Sequence, residues 1–288
     1  MSSTSPTKTL LSIFAHPDDE SFGPGGTLAK YAAQGVAVHH VCGTRGEVGS
    51  ADPQHLAGYA SVGDMRWAEL QCAAQHLDLA SVIHLGYRDS GMPGSADNQH
   101  PQALAAAPIA EVAAKIAHLI RELKPQVVIT HDPVGGYRHP DHIAIHQATV
   151  AAFHAASDPT VFPDGLPGHV PQKLYYPVFG GALIRLFRWI VPVLGQDLRR
   201  MGRNKDIDFS SFNFPTHAVI DIHGAPALKK FKAWACHRSQ TEGGGGPPTR
   251  GVIGWYLRQF GSRVETFMRA QPPANGHVRE RDLFEGVM

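Results

Sequence analysis

Neither charge, nor cysteine, nor long apolar runs dominate this sequence. Its 288 residues carry 26 Lys and Arg against 25 Asp and Glu, a formal charge of +1. No basic block of the kind that tracks a phosphate backbone is present, so nucleic acid is not an expected partner. Cysteine is scarce: Cys42, Cys72 and Cys236 are odd in number, far apart and without Cys-x-x-Cys spacing. That makes a poor disulfide framework, and all three are read as small buried apolar side chains in a reducing compartment. The N-terminal MSSTSPTKTLLSIFA runs straight into HPDDE instead of a small-residue cleavage site, which suits a strand better than a signal peptide. The most membrane-like stretch, VFGGALIRLFRWIVPVLG at 178–195, is broken by Arg185, Arg188 and Pro192, whereas a spanning helix needs about 20 apolar residues with few charges. No membrane span is expected, and the expected location is cytoplasmic.

What is present is an alternation. Short β-branched runs at 9–15, 36–44, 81–85 and 126–131 are separated by stretches of helical period at 25–35, 61–77 and 103–123, and 139–156 is a further helix. This pattern predicts an α/β fold with a Rossmann-like, mostly parallel sheet and helices on both faces. After Pro159 the pattern loosens, with a strand near 173–179, another at 217–222 and a helix at 224–237. A single domain is expected, with a core over about 8–157 and a variable C-terminal portion over 158–288.

Histidine is plentiful, at 18 residues, and two clusters fall where open α/β sheets bind ligands, just beyond the carboxyl ends of strands. AHPDDE at 15–20 follows the first strand, and HDPVGGYRHPDH at 131–142 follows QVVITH. Catalytic zinc takes three ligands from His, Asp and Glu and keeps a position open for water. His16 and Asp19, three apart on a turn, and His142 at a helix start make such a two-histidine, one-carboxylate set. Asp18, adjacent to a ligand but aimed elsewhere, is then free to act as general base on water. The competing reading is that Asp18 and Asp19 only cap the helix after Pro24. Fe2+ or Co2+ could occupy the same ligands as Zn2+.

AHPDDE, GPGGTLA at 23–29, TRGEVG at 44–49, Arg66 in RWAEL, YRDSGM at 87–92, YRHPDH at 137–142 and CHRSQ at 236–240 together resemble the PIG-L/LmbE family of zinc-dependent N-acetylglucosamine deacetylases. The members acting on glucosaminyl-inositol in mycothiol biosynthesis are the nearest in pattern. The resemblance implies His16, Asp19 and His142 as zinc ligands and Asp18 as base. It implies His139 as the group that stabilises the oxyanion or protonates the amine, and Tyr137 as the residue that polarises the carbonyl. Arg66 and Asp89 occupy positions that resemble sugar contacts; for Arg66 the alternative is a helix-surface pair with Glu69. If His139 protonates the amine, a carboxylate such as Asp132 or Asp141 should raise its pKa. The implied substrate is a small N-acetylated amino-sugar conjugate.

Other features carry less. GPGG at 23–26 lacks the lysine and Ser/Thr of a phosphate loop and is read as a turn into a helix. His146, four beyond His142, lacks the glutamate of an H-E-x-x-H site. TEGGGGPPTRG at 241–251 suits a lid or a plain loop, and 178–205 suits an arm buried in a homo-oligomer. His237 suits a helix C-terminus or the crevice wall. Two other classes use similar residues: a non-haem Fe(II) oxygenase, and a non-catalytic sugar- or metal-binding module that would have no need of Asp18.

Overall fold

The computed structural model describes residues 8–178, 214–241, 263–274 and 278–288. Strand β1 (Thr9–Phe14) is buried along its whole length, as a strand covered on both faces must be. It leads through the short α1 (Asp19–Phe22) to α2 (Gly25–Ala33), then β2 (Ala37–Cys42), α3 (Val62–Leu77), β3 (Ser81–His84), α4 (Ile109–Leu123), β4 (Val127–Thr130) and α5 (Pro140–Ala155). Strand β5 (Lys173–Val178), β6 (Ala218–Asp221), α6 (Ala225–Cys236), the single turn α7 (Arg238–Thr241) and β7 (Val264–Gln271) complete the described elements. Helix α4 starts at Ile109, later than the expected 103, because Leu104–Ala106 forms a separate 3-10 turn and Pro108 stands at the N-cap.

The strands form one seven-stranded sheet in the order β3-β2-β1-β4-β5-β7-β6. β3 to β5 run parallel, and β7 lies antiparallel between β5 and β6. The expected mostly parallel sheet is therefore observed, with β7 as a strand that periodicity did not reveal. Alternate β1 residues serve opposite faces. Leu11 and Ile13 pack with α4 and α5 through Ile116, Ile120 and Ile145. Leu10 and Phe14 pack with Leu28, Tyr31 and the C-terminal Phe284. The chain order reverses between β1 and β4, and this switch point opens the crevice where the segments after both strands meet.

GPGG is a turn into a helix, as expected. The first free amides of α2, Gly26 and Thr27, donate to the Glu265 carboxylate of β7 at 3.0 and 2.7 Å, so a side chain occupies what a phosphate would take in a nucleotide loop. The cysteine reading needs correction. Cys42 is free and buried, but Cys72 of α3 and Cys236 at the end of α6 form a disulfide across 164 residues of sequence. The bond removes cysteine usage as an argument for a reducing compartment. Among the described residues no helix is long and apolar enough to cross a membrane. The expected oligomer arm beyond Val178 and the glycine-rich loop beyond Thr241 lie outside the described residues.

Candidate metal centre and active site

The chain leaves β1 at Ala15 and turns at once, bringing His16 and Asp19 to the floor of the crevice. Asp19 Oδ2 accepts the backbone N–H of His16 at 2.8 Å, which fixes the turn. From the facing segment, the loop after β4 bends on Gly135 (φ 68°), where a Cβ would lie 2.7 Å from Ile143 and 3.1 Å from His142. Only glycine lets the loop sit this close to α5. Asp132 accepts the amides of Val134 and Gly136 at 2.9 and 3.2 Å, so it shapes this loop.

Three ligand atoms converge. His16 Nδ1 lies 3.1 Å from His142 Nε2 and 3.7 Å from Asp19 Oδ2, and His142 Nε2 lies 3.5 Å from Asp19 Oδ1. Around a tetrahedral ion with bonds of 2.0–2.2 Å, neighbouring ligand atoms sit about 3.4 Å apart. His16 and His142 are 5% and 3% exposed, so little water competes for them. His16 Nε2 lies 3.1 Å from Asp141 Oδ2 and 3.5 Å from Asp89 Oδ1, so when the ring gives up one proton to a metal it is Nδ1 that is freed and Nε2 that keeps its proton. Asp141, fully buried, is held by the backbone N–H of Ser90 at 2.9 Å and by the Ser90 hydroxyl.

The electrostatics ask for a cation at this point. Burial alone would lower the His16 pKa, yet Asp141, Asp89 and Asp19 hold it well above its ordinary value. Burial would raise Asp19, but His142, His131 and His16 pull it well below the carboxylate range. Burial and neighbouring His131 push His142 well down, so its imidazole is neutral and able to ligate. The residues present therefore fit a divalent metal. Two further donors stand within ligand distance: His139 clusters with His16 and His142, and His131 with Asp19 and His142. His131 stacks on His142 with ring centres 3.8 Å apart and has Nε2 3.2 Å from Asp19 Oδ2, but that nitrogen also accepts the Ala15 amide at 3.3 Å. Nδ1 of His139 accepts the Asp141 amide at 3.2 Å.

The helix after Pro24, α2, has Pro24 at its N-cap and no side-chain capping bond, so Asp18 and Asp19 do not cap it; Asp18 stands at the N-cap of α1, also without a side-chain capping bond. Its Oδ2 instead accepts from Arg66 Nη2 at 3.1 Å. Burial pushes its carboxyl up, opposed by Arg66 and reinforced by Asp19, to about 7. Arg66 is 5% exposed, also donates to the carbonyls of Pro17 at 2.8 Å and Gly46 at 3.3 Å, and passes close over Gly46, where any Cβ would collide with it. It is thus no surface partner of Glu69, which accepts from Ser239 instead. Asp89 is 4% exposed and divides its carboxylate between Gly91 N–H at 2.8 Å and His16, which holds it far below the carboxylate range against the effect of burial. Both residues expected at the sugar thus bond to residues of the candidate site, Arg66 to Asp18 and Asp89 to His16.

His139 departs from expectation. Burial, with the neighbouring His16, lowers its pKa to about 4, and the carboxylates only partly oppose this. Asp141 is committed to Ser90 and His16, and Asp132 to its loop. As N-cap of α5, His139 also faces the positive end of the helix, which disfavours an imidazolium. The expected carboxylate-raised pKa is therefore not found. Tyr137 packs edge-on to His142 with ring centres 5.2 Å apart, and burial with the nearby Asp19 and Asp18 charges keeps its hydroxyl protonated. His146, read as peripheral, donates from Nδ1 to the His131 carbonyl at 2.8 Å and so supports the loop from beneath.

Sequence reasoning missed one connection. Glu20 and His237 are fully buried and meet at 2.8 Å between Oε1 and Nε2. Burial would neutralise both, but each holds the other charged, raising His237 and lowering Glu20. The clue was the CHRSQ segment, whose histidine had no assigned task.

The sequence profile described as PIG-L, GlcNAc-PI de-N-acetylase, matches residues 11–153, which span β1 to α5 and every candidate ligand. A 1D-myo-inositol 2-acetamido-2-deoxy-alpha-D-glucopyranoside deacetylase of Streptomyces scabiei is 35% identical over 296 residues, covering 96% of this chain and 89% of its own length. The chain belongs to the PIG-L family. Similarity to this relative continues through the C-terminal portion that the family profile leaves out. Among solved structures, a conserved protein from Thermus thermophilus aligns with a TM-score of 0.57 at 25% identity, over 93% of this chain and 96% of that one. An N,N'-diacetylchitobiose deacetylase from Pyrococcus horikoshii aligns with a TM-score of 0.55 over 92% of this chain and 84% of that one; at 22% identity it speaks to the PIG-L fold alone.

Proposed function

We propose that this chain is a metal-dependent N-deacetylase that hydrolyses the acetamide of an N-acetylglucosaminyl conjugate, with 1D-myo-inositol as the aglycone. The substrate follows from the names of relatives about 35% identical over nearly the whole chain. The observation that supports the chemistry is the close approach of His16, Asp19 and His142 to one another, with Asp18 next in the chain to Asp19 and paired with Arg66. These ligands would hold Zn2+, with Fe2+ or Co2+ as alternatives. When bound, the ion supplies polarisation of the amide carbonyl and acidification of a water.

Asp18 takes the proton from the attacking water as the new C–O bond forms, and its pKa of about 7 suits a group that must also give that proton back. His139, neutral and with Nδ1 committed to the Asp141 amide, carries its proton on Nε2 and donates it as a hydrogen bond to the developing oxyanion. The Tyr137 hydroxyl is the second donor. When the C–N bond breaks, the amine receives the proton held by Asp18, so acetate and the free amino sugar leave without an imidazolium. The α/β sheet speaks against the oxygenase alternative, and a partly buried carboxylate outside the proposed ligand set speaks against a pure binding module.

The test is release of primary amine across a panel of N-acetylglucosamine conjugates, with Asp18→Asn as control. Asp18→Asn should lower kcat by about 10²- to 10⁴-fold with metal content retained. Unchanged turnover in that variant would sink the mechanism.

A further inference from the structure

Asp18 stands in a backbone conformation that L residues rarely adopt, with φ 129° and ψ −27°. Such a conformation persists only where the surroundings hold it. Its carbonyl accepts the amides of Ser21 and Phe22 at 3.0 and 2.8 Å, and its carboxylate accepts from Arg66. Its amide is held by a side chain two residues on: Asp18 N–H donates to Glu20 Oε2 at 3.0 Å. The other oxygen of Glu20 is fixed in turn by His237 Nε2 at 2.8 Å, where both side chains are 0% exposed. His237 is itself anchored on each side. Cys236 before it is bonded to Cys72 of α3, and Ser239 after it donates its amide and hydroxyl to Glu69 of α3 at 2.8 and 2.7 Å. Helix α3 is also the helix that carries Arg66.

We propose that Glu20 and His237 are positioning residues for Asp18. His237 aims the Glu20 carboxylate at the Asp18 amide, and that bond sets the turn which presents the Asp18 carboxylate to the reacting water. Neither residue belongs to the ligand set proposed above. Without His237, Glu20 Oε1 keeps only the Ser21 hydroxyl, the carboxylate is less well aimed, and the Asp18 backbone relaxes. This inference rests on the reading of Asp18 as the base.

The experiment measures amine release by the metal-loaded full-length protein in a double-mutant cycle. His237→Leu should lower kcat on the order of 10- to 100-fold, with KM and metal content little changed. Combined with Asp18→Asn it should cost nothing further, because the residue it positions is already disabled. His237→Gln, whose amide nitrogen reaches the place of Nε2, should recover most of the rate, and His237→Asn, whose nitrogen falls at the place of Nδ1, should not. If His237→Leu does not fold, the Gln and Asn variants decide alone: equal rates for these two overturn the proposal. So does a His237→Leu loss that multiplies undiminished on Asp18→Asn, or one that is absent. Full turnover by Asp18→Asn would instead overturn the base assignment, and this proposal with it.

Discussion

His139 answers two demands with one ring. Its Nδ1 closes the start of α5, which leaves Nε2 as the nitrogen for the oxyanion contact proposed above. With a pKa lowered to about 4, it should show the neutral, Nε2-protonated tautomer by ¹⁵N NMR across the neutral range in metal-free protein, and an imidazolium signal near pH 7 would contradict this. His139→Ala should keep its metal and lose kcat by about 10²- to 10³-fold, whereas His142→Ala should lose the metal itself, as measured by elemental analysis. Asp141→Asn should weaken metal binding by about 10- to 100-fold, since Asp141 fixes which nitrogen of His16 is free. The candidate ligands were legible in the sequence because His16 and Asp19 directly follow β1 and His142 closes the histidine-rich segment that begins after β4. The state of His139 was not, because it is set first by burial and by the neighbouring His16, while Asp141 is engaged by Ser90 and His16.

Helices α3 and α6 are held together by the Cys72–Cys236 bond, although 164 residues separate the two cysteines. Cross-linking a loop that long removes up to about 5 kcal/mol of unfolded-chain entropy in the chain-entropy account. The Cys72→Ser/Cys236→Ser protein should therefore melt several degrees lower than the wild type, and should match reduced wild type in a thermal scan. A second staple closes the other face. Arg121 of α4 is 1% exposed and donates to the carbonyls of Ala155, Ala156, Asp158, Val161 and Phe162, which includes the C-terminal end of α5. Arg121→Met should cost about 2–4 kcal/mol in urea unfolding, because it takes the donor from five carbonyls at and after the end of α5 and the partner from Asp164. The core strands were readable since β1 and β4 are apolar runs buried on both faces. Strand β7 was not: VETFMRAQ is only partly buried and gives Glu265 and Arg269 to ion pairs, so its pattern is neither a buried run nor a clean alternation. The disulfide was equally hidden, since an odd number of distant cysteines carries no spacing signal.

At the scale of the whole molecule, the end of the chain closes the sheet it began. Glu280 accepts from Lys173 at 2.7 Å, Tyr175 at 2.6 Å and Arg269 at 2.6 Å, joining the C-terminal segment to β5 and β7. Burial would raise its carboxyl, but these three partners hold it below the ordinary value. A depressed folded-state pKa gives stability that is present above the unfolded value of about 4.3 and is lost as pH falls through the folded one. Melting temperature should accordingly fall on the acid side of that value in the wild type. Glu280→Gln should melt lower at pH 7 and fall less steeply in acid; parallel curves would show that Glu280 does not carry the effect. The contact between Glu20 and His237 spans 217 residues, and it sets an order of events during synthesis. A nascent chain has all three metal ligands once His142 emerges, but the partner of Glu20 is translated nearly a hundred residues later. On the roles proposed above, the growing polypeptide gains its last candidate ligand well before the residue that positions Asp18, so its full rate comes only with the finished chain.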